Sequence, residues 1–218
     1  VYLMINIEPK LKNRLDEAVK NNEEIVFVAY SLLEKFESGI KYVIGLSLPG
    51  GVNDDLFSPI FTCVKELTTN AVKANIKKVL INEGVIKNPS DLEETVSKTK
   101  SVLNERDMLE YAIKAKSYGL SVRIYIRIES GRLKVRVINP VPLTDAQDER
   151  IQKKITTAKK YESLAEFYID NPDPFAEGMG LGLSLVVVML KGAMIKDAVF
   201  EVTSDKVSKT YATLEIPV

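Results

Sequence analysis

The chain of 218 residues contains no histidine. Any mechanism that needs an imidazole on this chain, as general base, zinc ligand or phosphate acceptor, is therefore excluded. Cysteine is almost as scarce. The single Cys63 rules out an intrachain disulfide and leaves no thiolate cluster for a metal, which fits a reducing compartment. Charge of one sign is also lacking, because 30 Lys plus Arg balance 30 Asp plus Glu. No global field argues for nucleic acid or an anionic membrane. Apolar runs stop well short of the roughly 20 residues of a membrane span. The first residues lack the basic, apolar and small-residue order of a signal peptide, so a cytoplasmic location is expected. The length suits one large domain, or one domain with an appendage, and allows a proper core.

Glycine is concentrated in one place. Glu177 to Val188 reads EGMGLGLSLVVV, with Gly178, Gly180 and Gly182 leading directly into an apolar segment that ends at Leu190. Glycines that dense sit badly inside a helix but well at its start, where the backbone must be approached closely. The unpaired N–H groups and positive dipole end of a first helical turn hold phosphate. A loop whose glycines only turn the chain is the alternative reading.

In chain order, Tyr2 to Glu8 reads as a strand and Leu11 to Asn21 as a helix, from the spacing of Leu11, Leu15 and Ala18. Glu24 to Phe36 fits either element. Lys41 to Leu48 reads as a strand closed by Pro49-Gly50-Gly51. A long helix then runs from about Asp55 to beyond Asn75, with Asp54 or Asp55 placed to cap it. Ile60, Val64, Leu67, Ala71 and Ala74 share one face; Glu66, Asn70 and Lys73 share another. Phe61, Val72 and Ile76 make much of the remaining circumference apolar, so the helix is expected to be buried on several sides and the polar trio to be an exception there. Base, metal oxygen and phosphate-facing charge could all come from that trio; an ordinary solvated helix face is the other reading.

The stretch Glu66-Leu67-Thr68-Thr69-Asn70-Ala71-Val72-Lys73-Ala74-Asn75 resembles the N box of the GHKL ATPase superfamily (gyrase, heat-shock chaperone, histidine kinase, MutL). Gly178-Met179-Gly180-Leu181-Gly182-Leu183-Ser184 resembles its second glycine box in the form typical of sensor histidine kinases. Asn171-Pro172-Asp173-Pro174-Phe175 stands where those kinases carry a phenylalanine box, and Lys209 to Pro217 is similar to the last strand of their catalytic domain. The likeness covers about 41–218, in the correct order.

That resemblance implies a role for each matching position. Asn70 would hold Mg²⁺ through its side-chain oxygen, Glu66 would position or deprotonate a water, and Lys73 would face phosphate. Gly178, Gly180, Leu181 and Gly182 would form the phosphate loop, and Thr210 would lie near the adenine. Asn139-Pro140-Val141-Pro142 occupies the place of the first glycine box, whose aspartate accepts from the adenine amino group. Asn139 would take that position, accepting through its carbonyl oxygen.

The strand pattern between the boxes points the same way. Val122, Ile124, Ile126 and Ile128 alternate with polar residues, Ser130-Gly131 makes a turn, and Leu133, Val135 and Val137 continue the inward face. Asn139 is in phase with them and Pro140 ends the pairing. Asp145 to Lys160 is a polar helical stretch, and 145–177 corresponds to the family's nucleotide lid. The segment 77–119 is longer than the family link. Its Ser90-Asp91-Leu92-Glu93 reads as a capping box, and Leu92, Val96, Leu103, Leu109 and Ile113 suit one or two helices. This insertion reads as a partner or dimer surface, with simple packing as the alternative.

The expected architecture is an α+β, two-layer α/β sandwich of the Bergerat type, with a mixed, mostly antiparallel sheet and helices on one face. Residues 1–40 would pack on or lead into a domain spanning 41–218. The resemblance implies ATP and Mg²⁺ as cofactors and the catalytic part of a signal-transduction kinase as function. The phosphate acceptor would belong to a partner protein or upstream domain, with a homodimer as a further expectation and no nucleic acid. An anti-sigma-type serine kinase switch, or a nucleotide-sensing interaction module without chemistry, are the other readings.

Overall fold

A computed structural model describes residues 7–31, 34–102, 105–170 and 181–218. The expected strand at Tyr2 to Glu8 falls almost wholly outside them, as do the Asn171 to Phe175 segment and Gly178 and Gly180. Five strands, β1 (Ile25–Ala29), β2 (Val122–Glu129), β3 (Arg132–Asn139), β4 (Val199–Ser204) and β5 (Thr210–Pro217), form one sheet in the order β1-β2-β3-β5-β4. Every pairing is antiparallel among the described residues, so the antiparallel part of the expected sheet forms and no parallel pair occurs there. The hairpin joining β2 to β3 turns at Ser130 and Gly131, whose φ values are 52° and 69°. Glu24 to Phe36, open in sequence, supplies the edge strand β1.

Alternation decides which face of this sheet is covered. Val122, Ile124, Ile126, Leu133, Val135, Val137, Leu214 and Ile216 are buried beneath helices, whereas their strand neighbours point to the opposite, uncovered face. The molecule is thus α+β, with helices on one side of an antiparallel sheet. The central helix α3 (Phe57–Asn82) runs across the inner face and touches β2, β3 and most other helices. Its buried residues include Ile60, Val64, Leu67, Val72, Ile76 and Leu80, which lie on more than one side of the helix, as the sequence predicts. Burying side chains of that size stabilises by about 1.5–3 kcal/mol each.

Three local expectations are corrected. Lys41 to Leu48 is not a strand, because α2 (Glu34–Leu46) covers most of it. Ile40, Val43 and Ile44 are buried at spacings of three and four, so the contact with the core selects the helical period over local strand preference. Gly39 and Gly45 sit inside that helix, where the Phe27 ring and the Val52 side chain press on bare backbone. Neither Asp54 nor Asp55 caps α3: its N-cap is Leu56, and Asp54 instead accepts from Leu56 N (2.9 Å) and Gly50 N (3.2 Å) in the preceding turn. The cap of α4 (Leu92–Ser101) is Asp91, which accepts from Glu94 N at 3.0 Å. Glu94 turns away to accept from Lys87 N and Asn88 N, so no reciprocal box starts at Ser90.

The 77–119 insertion forms the end of α3, then α4 and α5 (Glu105–Ser117), both packed on α3. Of the expected lid, 145–170 forms α6 (Asp145–Ala158) and α7 (Leu164–Asp170). Ile155, Ala158 and Phe167 pack with Val187 and Val188 of α8 (Leu181–Gly192) and Val202 of β4 in a second apolar cluster. Gln152 Nε2 donates to the Val202 carbonyl at 2.8 Å and Lys206 Nζ reaches Asp148 at 2.6 Å, which ties α6 to the β4–β5 end of the sheet.

Candidate functional site

Between α3 and α6 lies a cleft of about 390 Å³, floored by β3 and β5. One wall is a single stripe of α3 carrying Asn70, Lys73, Ala74, Lys77 and Ile81. Spacings of three and four put these residues on one face, which extends about 10 Å from Asn70 to Lys77. The facing wall is Gln147, Arg150, Ile151 and Lys154 of α6, spaced in the same way. Thr144 and Gln147 form a capping box that fixes the start of this wall: Thr144 Oγ1 accepts from Gln147 N, and Gln147 Oε1 accepts from Thr144 N.

At the floor, Asn139 and Thr210 are partners in the β3–β5 register. Asn139 is 5% exposed, and its side chain makes no hydrogen bond among the described residues. Thr210 Oγ1 donates to the Val141 carbonyl at 2.7 Å. Val137, Val141 and Ala212 make the rest of the floor apolar.

Electrostatically the cleft is one-sided. Lys73, Lys77, Lys78, Arg150 and Lys154 line it, and no carboxylate among the described residues does. Burial holds Lys73 below the ordinary lysine range, with the nearby Glu66 charge offsetting part of the shift. Lys77 is lowered too, first by burial and then by the like charge of Arg150 across the gap. Cations held together at this cost suit an anionic ligand.

The first turn of α8 closes the Asn70 end. A methyl group added at Gly182 would lie 2.5 Å from Glu66 Oε2 and 2.9 Å from Asn70 Nδ2. Glycine lets the turn rest directly on those two side chains. Burial first, and then the nearby Glu66 charge, pushes the Cys63 thiol up to about 12. Leu181 opens the helix and Leu183 reaches the cleft.

Of the expected site residues, Asn70, Lys73, Asn139 and Thr210 line one cleft, and Gly182 joins Glu66 to Asn70 beside it. Gly178 and Gly180 lie outside the described residues. The sequence reading passed over Lys77, Arg150, Lys154 and Gln147. Lys77 stands four residues after Lys73, and Arg150 and Lys154 are four apart, so helical spacing could have found each wall; that the two walls face each other is a tertiary fact.

No family model matches the chain, and no solved structure matches it. The chain is 30% identical over 160 residues to an uncharacterized protein of Treponema pallidum (strain Nichols), a match covering 71% of this chain and 30% of that protein. The chain therefore spans less than a third of the length of this relative.

No group of three His, Cys, Asp or Glu side chains suited to a metal occurs among the described residues. Mg²⁺ does not need one, since it takes one or two protein oxygens and completes its shell with phosphate and water. The Glu66 carboxylate beside Gly182 is such an oxygen donor, and Asn70, whose Nδ2 faces Gly182, would add its Oδ1 with the amide turned over. No helix among the described residues is long and apolar enough to cross a membrane.

Proposed function

We propose that this chain is a nucleotide-binding domain of the histidine-kinase-like ATPase type, with a Bergerat-type sandwich. It would bind ATP with Mg²⁺ and present the terminal phosphate to a residue outside the chain. One observation carries the reading: a cleft lined by five cationic side chains holds Asn70, Lys73, Asn139 and Thr210 together, next to a helix start laid on Glu66. In this reading the floor takes the base, while Lys73 and the opposing α3 and α6 cations neutralise the phosphate chain. Asn70 and Glu66 hold the metal, which supplies further charge neutralisation when bound. Glu66 is also a carboxylate placed to orient an incoming hydroxyl or water. The acceptor lies elsewhere, because the chain has no histidine.

Calorimetry with a non-hydrolysable ATP analogue tests this. Binding should require magnesium, and Asn70→Ala should remove that requirement while the circular dichroism stays unchanged. Folded protein that ignores nucleotide at about millimolar concentration would leave only an interaction module without chemistry. With radiolabelled ATP, the isolated chain should carry no acid-labile, base-stable label.

A further inference from the structure

Asn139 closes the floor of the cleft with an amide that is 5% exposed and unpaired among the described residues. Its register partner Thr210 has committed its hydroxyl proton to the Val141 carbonyl, so Oγ1 offers only lone pairs to a ligand. Of this pair, only Asn139 can still donate. We propose that Asn139 makes the cleft tolerant of both purines, so that its ligands are adenine and guanine nucleoside polyphosphates alike.

This inference rests on the nucleotide reading of the same cleft. Adenine presents an amino donor beside a ring acceptor, whereas guanine presents a carbonyl acceptor beside a ring N–H donor. An amide carries both complements, with its oxygen and nitrogen nearly equal in shape. Turning Asn139 by about 180° at its broad terminal torsion exchanges the two patterns without moving the backbone. Among the described residues no hydrogen bond holds the amide in either orientation, so neither base has to break one there. A carboxylate at this position would be acceptor-only and would face the guanine carbonyl unfavourably. Val137, Val141 and Ala212 keep the floor apolar, so an unmatched polar group there is left without water.

The test is displacement of a fluorescent ATP analogue from the whole chain by ATP, GTP and CTP with magnesium present. ATP and GTP should compete within about threefold of each other, and CTP should compete poorly. Asn139→Asp should weaken GTP by at least about tenfold while ATP holds or tightens by up to that factor. Asn139→Ala, which removes donor and acceptor together, should weaken both purines equally and leave displacement by inorganic triphosphate unchanged, showing that the cleft is still folded. Discrimination against GTP of more than about tenfold by the unaltered chain overturns the inference and leaves the nucleotide reading standing. An Asn139→Asp chain with an unchanged ATP to GTP ratio does the same. Failure of every nucleotide to compete overturns both.

Discussion

The two sides of the sheet both gather cations, one on its own strands and the other on α3 and α6, and treat them in opposite ways. On the uncovered face, Lys134 lies 2.6 Å from Glu129 and 3.6 Å from Glu215, while Arg127 and Arg132 reach the same two carboxylates. The hydrogen bond between Lys134 and Glu129 pushes the lysine up and the glutamate down. On the helix side, Lys73 and Lys77 of α3 are pushed down by burial, and no carboxylate among the described residues lines the cleft they enter. Cations matched by their own acids belong to the structure. Those lining the cleft, against apolar walls, suit the anionic ligand proposed for it.

The largest contrast is in stability. Ile124, fully buried on the inner face, should cost about 2–5 kcal/mol when changed to Ala, read as a lowered urea midpoint. A much smaller loss would mean that the inner face is not the core. Next comes affinity: Lys77→Ala should weaken ATP-analogue binding by about tenfold, because a charge-assisted contact is lost. Its stability should hold or rise, since a desolvated ammonium repelled by Arg150 is removed. Equal losses from Lys77→Ala and Lys134→Ala would erase the distinction between the faces.

Gly182→Ala separates fold from site. Alanine favours the helix by up to about 1 kcal/mol, and the Glu66 carboxylate it meets is the movable end of a side chain. Thermal unfolding should therefore shift little, while magnesium dependence of binding disappears. Unaltered magnesium dependence would show that Glu66 and Asn70 do not hold the metal.

The pH response is milder. Lys73 and Lys77 lose protons below the ordinary 10.5, so anion affinity should fall as pH rises through their lowered values, earlier than an exposed lysine would allow. Over the same window the unfolded chain binds more protons, so ligand-free stability should rise with pH. A flat titration of both would contradict the burial of these ammonium groups. Smallest of all should be Lys134→Ala without ligand, a salt-sensitive change well below that of Ile124→Ala.

Strong periodicity was legible without the fold. Alternation in 122–128 and 133–137 announced two strands of one hairpin, and the in-phase Asn139 was correctly expected on the core side. The multi-sided apolar pattern of α3 announced a buried central helix with Glu66, Asn70 and Lys73 on one stripe. Lys41 to Leu48 was misread because a short apolar run satisfies both periods, and only its contact with the core chooses between them. Asp54 and Ser90 missed their caps by one or two residues, since several neighbouring side chains can serve a helix start and backbone geometry selects among them.

Sequence alone settled the excluded chemistry and the amphipathic faces, because residue type and spacing along one element are local properties. Tertiary structure decided that α6 faces α3 across a cleft, that Lys77 and Arg150 face each other there, and that Gly182 rests on Glu66 and Asn70. Those relations join residues about 70 to 115 positions apart, and only the packing of elements against a common sheet brings such distant positions together.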